Sequence, residues 1–242
     1  MDESLKLFMK NADVLFLMLG AVMIFSMHAG FAFLEVGSVR RQSQVNALNK
    51  VIIEWAISTL VYFLIGFPIA YGINSFHFWK EANILATNGQ IPMIKFFLLL
   101  GFAACIPAII SGGIAERTKF WINALAGAIL VGLAYPLFEA SVWGQLPIFG
   151  ENSWLSNWAG KPFHDYAGSV VVHSLGGWFA LPAIMLVGAR RKRYGYDGTS
   201  APINVSSVPF LALGSWILCV GWFGFNVMSA GSLSNISALV AI

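Results

Sequence analysis

Six continuous apolar runs, each about twenty residues long, leave this chain few ways to fold. They are read at about 14–33, 51–72, 96–115, 120–138, 166–189 and 208–227. At about 1.5 Å of rise per residue, a helical run of that length just crosses the hydrocarbon of a bilayer. Lipid offers backbone groups no hydrogen bonds, so only helices and closed barrels span it, and these runs lack the alternation of a barrel strand. The expectation is an all-α membrane protein with six transmembrane helices. With 58% hydrophobic and 10% charged residues, the chain is built to face lipid. Its acidic start, Met-Asp-Glu-Ser, and a first run as long as a full span read as a retained helix, not a cleaved signal.

The few charges set an orientation. Arg40 and Arg41, then Arg117 and Lys119, then Arg190-Arg191-Lys192-Arg193 fall on alternate connections. The other side holds Lys6, Lys10, Lys80 in a polar loop with Trp79 and Glu81, and Lys161, with Lys95 at a boundary. The excess of positive charge on cytoplasmic loops then predicts both termini outside a cell membrane. These basic residues end apolar runs and form no stripe, so no nucleic-acid partner is expected. The longest connection, 140–164, is rich in Trp, Asn, Gly and Pro and reads as an ordered loop at the membrane surface. Cys105 and Cys219 lie inside apolar runs, where small buried hydrophobes are expected. No metal spacing, cofactor motif or nucleophile-base pair is found, so neither a cofactor nor an enzyme is expected.

Chemistry concentrates in Asp-Tyr-Ala-Gly-Ser-Val-Val-Val-His-Ser-Leu-Gly-Gly-Trp-Phe-Ala, residues 165–180. Asp165 is suited to cap a helix, and His173 then sits roughly 12 Å inside the apolar run. An ionisable ring at that depth costs several kcal/mol unless it faces a cavity, a pathway or a partner, so it reads as functional. The competing reading is a histidine satisfied by a neighbouring helix. Trp143 and Trp154 lie on the outward connection, where a partly desolvated indole face gives a cation about 2 kcal/mol. For Trp154 an interfacial-belt role is preferred. Trp222, Phe225 and Ser229 are spaced by three and four, giving one helix an aromatic face with a hydroxyl. On spacing alone Phe102 reads as a core aromatic. Ala124, Ala128 and Gly132, and Gly176 and Ala180, are spaced for close helix packing.

Four blocks then occur in order: Ala-Gly-Phe-Ala-Phe-Leu-Glu at 29–35 with Val-Arg-Arg following, Ile-Ser-Gly-Gly-Ile-Ala-Glu-Arg at 110–117, Asp-Tyr-Ala-Gly-Ser-Val-Val-Val-His-Ser at 165–174, and Gly-Trp-Phe-Gly-Phe-Asn at 221–226 with Ser-Ala-Gly at 229–231. On these, nearly the whole chain resembles the ammonium transporter family (the ammonium transporter, methylammonium permease and Rhesus group), and its bacterial branch in particular. The resemblance implies two inverted five-helix repeats plus a final helix, of which this chain carries the first repeat and the first helix of the second. It implies that Phe102 and Phe225 close the outer mouth of a pore. Trp143 and Ser229, with Phe102, match an outer site that recruits ammonium, and Asp165 supports that site without touching the ion. His173 matches the first of two pore histidines, and Trp222 is expected in the pore as well. The second, on the family's tenth span, has no counterpart. His28 belongs to another block, and His77 and His164 to exterior loops. Leu98 stands where the family often places an outer gate aromatic, and Ser169 where one branch has Gly.

The expected function is therefore ammonium transport. Moving a bare cation into hydrocarbon costs of order 20 kcal/mol in the idealised Born estimate, so the ion is expected to leave its proton near the phenylalanines. Ammonia and the proton then pass separately along a dry pore, where a neutral imidazole can donate, accept or relay. Potassium has no proton to give up. The alternative is an ammonium-sensing membrane module that binds without conducting. Residues 1–242 are expected to be an incomplete ammonium transporter transmembrane domain, and a complete chain is expected to form a homotrimer.

Overall fold

The computed structural model describes residues 2–71, 90–144, 154–161, 163–234, 237 and 239–240. Six helices are long and apolar enough to cross a membrane: Glu3–Ser38, Arg41–Tyr71, Met93–Ile114, Phe120–Val142, Ser169–Val187 and Val208–Val227. The described residues hold no β-strand, only an isolated bridge between Tyr194 and Ser200. Gly72, His77 and the Trp79-Lys80-Glu81 loop lie outside the described residues, as do 145–153 and Pro162 in the long connection.

Most spans run past their apolar cores. At 36 residues the first helix is about 54 Å long, more than the hydrocarbon thickness. Extension carries Glu35, Lys50 and Glu139 into the spans, although each looks like a boundary marker in the sequence. All three are buried. Lys50 Nζ pairs with Glu35 Oε1 and donates to the Ser111 carbonyl, while Ser111 Oγ donates to Glu35 Oε2. Pairing of this kind is what lets charge persist inside a bundle.

The first and sixth spans pack most closely, along facing glycines. A Cβ on Gly214 would lie 2.5 Å from the Leu34 nitrogen and 2.7 Å from the Gly30 carbonyl oxygen, so backbone meets backbone there. Among the residues spaced for packing, Gly176 meets Ile109, and Gly132 meets Val61. Cys105 is buried, as expected, whereas Cys219 is exposed on the outer face of the sixth span. That expectation fails because depth along a span does not say which face of the helix a residue occupies.

Three spans contain a π-helical turn: Tyr62–Gly66, Leu130–Ala134 and Ser169–Ser174. Two have a common cause. Pro68 and Pro136 each lack an N–H and crowd the carbonyl four residues back, at Leu64 and Gly132, inside those turns. The turns pack on each other, and Gly66 sits against the Val131 carbonyl. The third turn follows two left-handed residues, Ala167 and Gly168, and carries His173.

At the arginine-rich end, one acidic residue ties three connections together. Glu116 Oε1 accepts from the Arg40 backbone N–H at 3.1 Å and from Arg40 Nε at 3.0 Å, and Oε2 faces Arg190 Nη1 at 3.6 Å. Arg117 donates to the carbonyls of Gly188 and Gly113. Burial pushes the Glu116 carboxyl up, but hydrogen bonds from Arg40 and Ser43 outweigh it and hold the group below its ordinary value. A depressed folded-state pKa stabilises at neutral pH, and the gain is lost as pH falls through that depressed value. Glu116→Gln is therefore expected to cost about 1–2 kcal/mol at neutral pH. Melting of the two proteins in detergent should show the gap closing in acid.

Candidate functional site: stacked phenylalanines below a vestibule

The opposite end of the bundle gathers residues from five spans and the long connection. Asp165 is 4% exposed and organises them. Its Oδ2 accepts from the backbone N–H groups of Val170 at 3.1 Å and Val171 at 2.8 Å. The helix starts at Ser169, so Asp165 caps it from four residues upstream by way of the left-handed turn at Ala167 and Gly168. Gly168 serves twice. It adopts a φ of +65°, and a Cβ there would strike Val172 and approach the Trp143 ring at 3.3 Å.

Trp143 and Ser229 converge on this turn. The Trp143 indole N–H donates to the Asp165 carbonyl at 3.1 Å. Ser229 Oγ accepts from the Ala167 N–H at 3.0 Å and donates to the Phe225 carbonyl. A hydroxyl has two lone pairs, so one acceptor position remains. Together with Tyr71, Lys95, Leu98, Phe102 and His164, these groups line a vestibule of about 510 Å³.

Its floor is a pair of rings. Phe102 and Phe225 stack with centroids 4.2 Å apart and planes 16° apart, 2% and 0% exposed. Phe102 also touches the Trp143 ring at 5.7 Å. Beneath them the His173 imidazole lies 5.2 Å from Phe225 and stacks on Trp222 at 4.9 Å. Its Nε2 is buried and has no hydrogen-bond partner among the described residues. The seven residues singled out from the sequence form one column: Trp143, Asp165 and Ser229 at the vestibule, then Phe102 and Phe225, then His173 and Trp222.

Of the set-aside histidines, His28 is buried with Nε2 3.7 Å from Cys105 Sγ and its ring 4.2 Å from Trp55. His164 meets Tyr166 with ring centroids 3.8 Å apart and planes tilted by 51°, and lines the vestibule, a position its loop location gave no hint of. Trp154 is 47% exposed and stacks with Trp158 on the short helix Trp154–Ala159. Sequence reading missed Glu139. It is fully buried one turn before Trp143 and accepts from the hydroxyls of Tyr62 at 2.9 Å and Tyr71 at 3.1 Å. An acidic residue flanking an apolar run, one helical turn from a tryptophan of interest, was the available signal.

The model of the Ammonium Transporter Family matches residues 15–242. The chain belongs to that family. It is 38% identical over 237 residues to ammonium transporter Amt2 of Methanocaldococcus jannaschii, covering 95% of this chain and 53% of that protein. A putative ammonium transporter of Synechocystis is 37% identical over 224 residues, with 90% and 41% covered. Among solved structures, a sensor Amt protein superposes with a TM-score of 0.86 at 34% identity, over 98% of this chain and 59% of its own. Mep2 of Candida albicans shares the fold, with a TM-score of 0.74 at 20% identity. The chain spans about half the length of the curated relatives it matches. Six helical spans without strands among the described residues, aligned with half of such structures, give the first repeat and the first helix of the second.

Proposed function

We propose that this chain forms the recruitment site, the outer gate and the first part of the pore of an ammonium transporter in the cell membrane, with its N-terminus outside. The observation that carries the reading is the Phe102–Phe225 stack, set between a polar vestibule and an imidazole nitrogen without a partner among the described residues. Ammonium enters against the Trp143 ring, whose N–H is already engaged by the Asp165 carbonyl, so the π face is what remains for a cation. The free lone pair of Ser229 accepts one ammonium N–H and replaces a water of hydration. Asp165 commits its carboxylate to the helix amides and shapes the site indirectly.

At the stacked rings the cation meets a closed apolar wall, and crossing as ammonia avoids the cost of a buried charge. The ion gives up its proton at the rings, and ammonia and the proton then pass on separately. Ammonia passes the rings and meets His173, whose imidazole stacks on Trp222 and can donate, accept or relay. Potassium has no proton to give up, so it does not cross the rings. The reading treats residues 1–242 as one transporter domain that works as a homotrimer once whole. The similarity of this chain to relatives described as ammonium transporters supports it.

A second reading has its own support. The sensor Amt protein, at a TM-score of 0.86, favours a module in which the same vestibule binds ammonium and reports it without conducting. Both readings share the recruitment step. Trp143→Leu keeps apolar bulk but removes the π face, so ammonium affinity should fall about 30-fold, the equivalent of about 2 kcal/mol. Isothermal titration of the native protein checks this, and unchanged affinity contradicts the recruitment site.

A further inference from the structure

The vestibule already contains an ammonium group of the protein's own. Lys95 Nζ stands 5.3 Å from the centroid of the Tyr71 ring, and both side chains line the same cavity as Trp143, Asp165 and Ser229. The Tyr71 hydroxyl donates to Glu139 Oε1 at 3.1 Å, and Tyr62 donates to both Glu139 oxygens at 2.9 Å. Glu139 is 0% exposed, and no lysine or arginine pairs with it among the described residues. The hydrogen bond to Glu139 fixes the Tyr71 ring, and Lys95 Nζ lies over its face.

We propose that the Tyr71 face, backed by Glu139, is a second cation subsite of the vestibule for ammonium and small primary alkylammonium ions, and that Lys95 is its tethered occupant. The inference rests on the vestibule being where ammonium arrives. A lysine head is a primary alkylammonium, chemically a methylammonium on a stem, so whatever holds it there holds the free ion on the same terms. Lys95 is exposed and its four-carbon stem is flexible, so it can swing to solvent when ammonium takes its place. While seated, it also adds a positive charge to the cavity that Trp143 lines and discourages a second cation. Apparent affinity for ammonium is thus set by competition with the side chain and lies below what the bare vestibule would give.

Lys95→Met tests this in the native protein by isothermal titration with ammonium chloride at constant ionic strength. The variant should bind about three- to fivefold tighter, as expected for losing a competitor worth one exposed cation–π contact. Loss of a positive charge alone would also tighten binding, so the substitution is repeated with Tyr71→Leu. The subsite predicts that the gain shrinks or vanishes without the ring, whereas an equal gain in both backgrounds, or none in either, overturns it.

A second measurement needs no change at Tyr71. In protein with ¹³C-labelled lysines, the Lys95 Cε resonance, assigned by its loss in Lys95→Met, should show a ring-current shift. Saturating ammonium should move it to the position of a free lysine, and a signal that ammonium leaves in place overturns the proposal. Absence of any ammonium binding by the unaltered protein overturns both this subsite and the recruitment reading. Binding that survives Trp143→Leu yet responds to Lys95 only when Tyr71 is present removes the Trp143 assignment and leaves the subsite standing.

Discussion

His173→Ala is expected to reduce saturable ammonium uptake about 100-fold or more, or to let potassium pass where the unaltered protein excludes it. The lower bound follows from the usual worth of a positioned acid-base group, about 10²–10⁴ in rate. Either result has the same origin. The imidazole is the polar group set directly beneath the stacked phenylalanines, 5.2 Å from Phe225, with its plane against Trp222. Removing it leaves ammonia without a partner below the gate, or opens room for water and with it for hydrated cations. Uptake of labelled methylammonium with and without excess potassium separates the two. Selective transport at the original rate would show that the ring is merely packed there.

Asp165→Ala should have the largest effect on assembly. Two N–H groups lose their acceptor, a part-buried one on Val170 and a buried one on Val171, and an unpaired buried donor costs about 1–3 kcal/mol. A total of about 2–4 kcal/mol is expected, the upper end of what a lost cap and an orphaned amide together impose. Ammonium binding should fall with it, because the Trp143 indole hangs on the Asp165 carbonyl and Ser229 on the Ala167 amide of the same turn. Asp165→Asn retains one acceptor oxygen, so it should cost about 1 kcal/mol and spare more of the binding. Thermal melting and ammonium titration on both variants test this. Equal melting temperatures for Asp165→Ala and the unaltered protein would mean that the cap contributes nothing.

How far the sequence could be read depended on what kind of information each feature needed. Span number and order follow from run length and apolarity alone, and these were legible. Span ends were not, because Glu35, Lys50 and Glu139 look like markers of water although each is buried against a partner from another helix. Whether a charge ends a span or lies inside one is decided by tertiary pairing. Asp165 was legible as a capping residue, yet its reach across four residues depends on left-handed backbone at Ala167, which no propensity would place there. The face of Cys219 and the nearness of Lys95 to Tyr71 depend on helix rotation and on contacts between the ends of separate spans. The seven residues of the column came from type, spacing and family blocks. Their vertical order came only with the structure.

The central claim is that the stacked phenylalanines divide a site that binds ammonium from a pore that carries ammonia. Uptake of ammonium by the native protein in cells lacking other ammonium transporters, with potassium in large excess, tests it most directly. Saturable uptake that potassium does not depress, and that Trp143→Leu shifts to higher ammonium concentration, is the expected result. A correctly inserted protein that binds ammonium but gives no uptake above background would contradict conduction and leave the sensing module in its place.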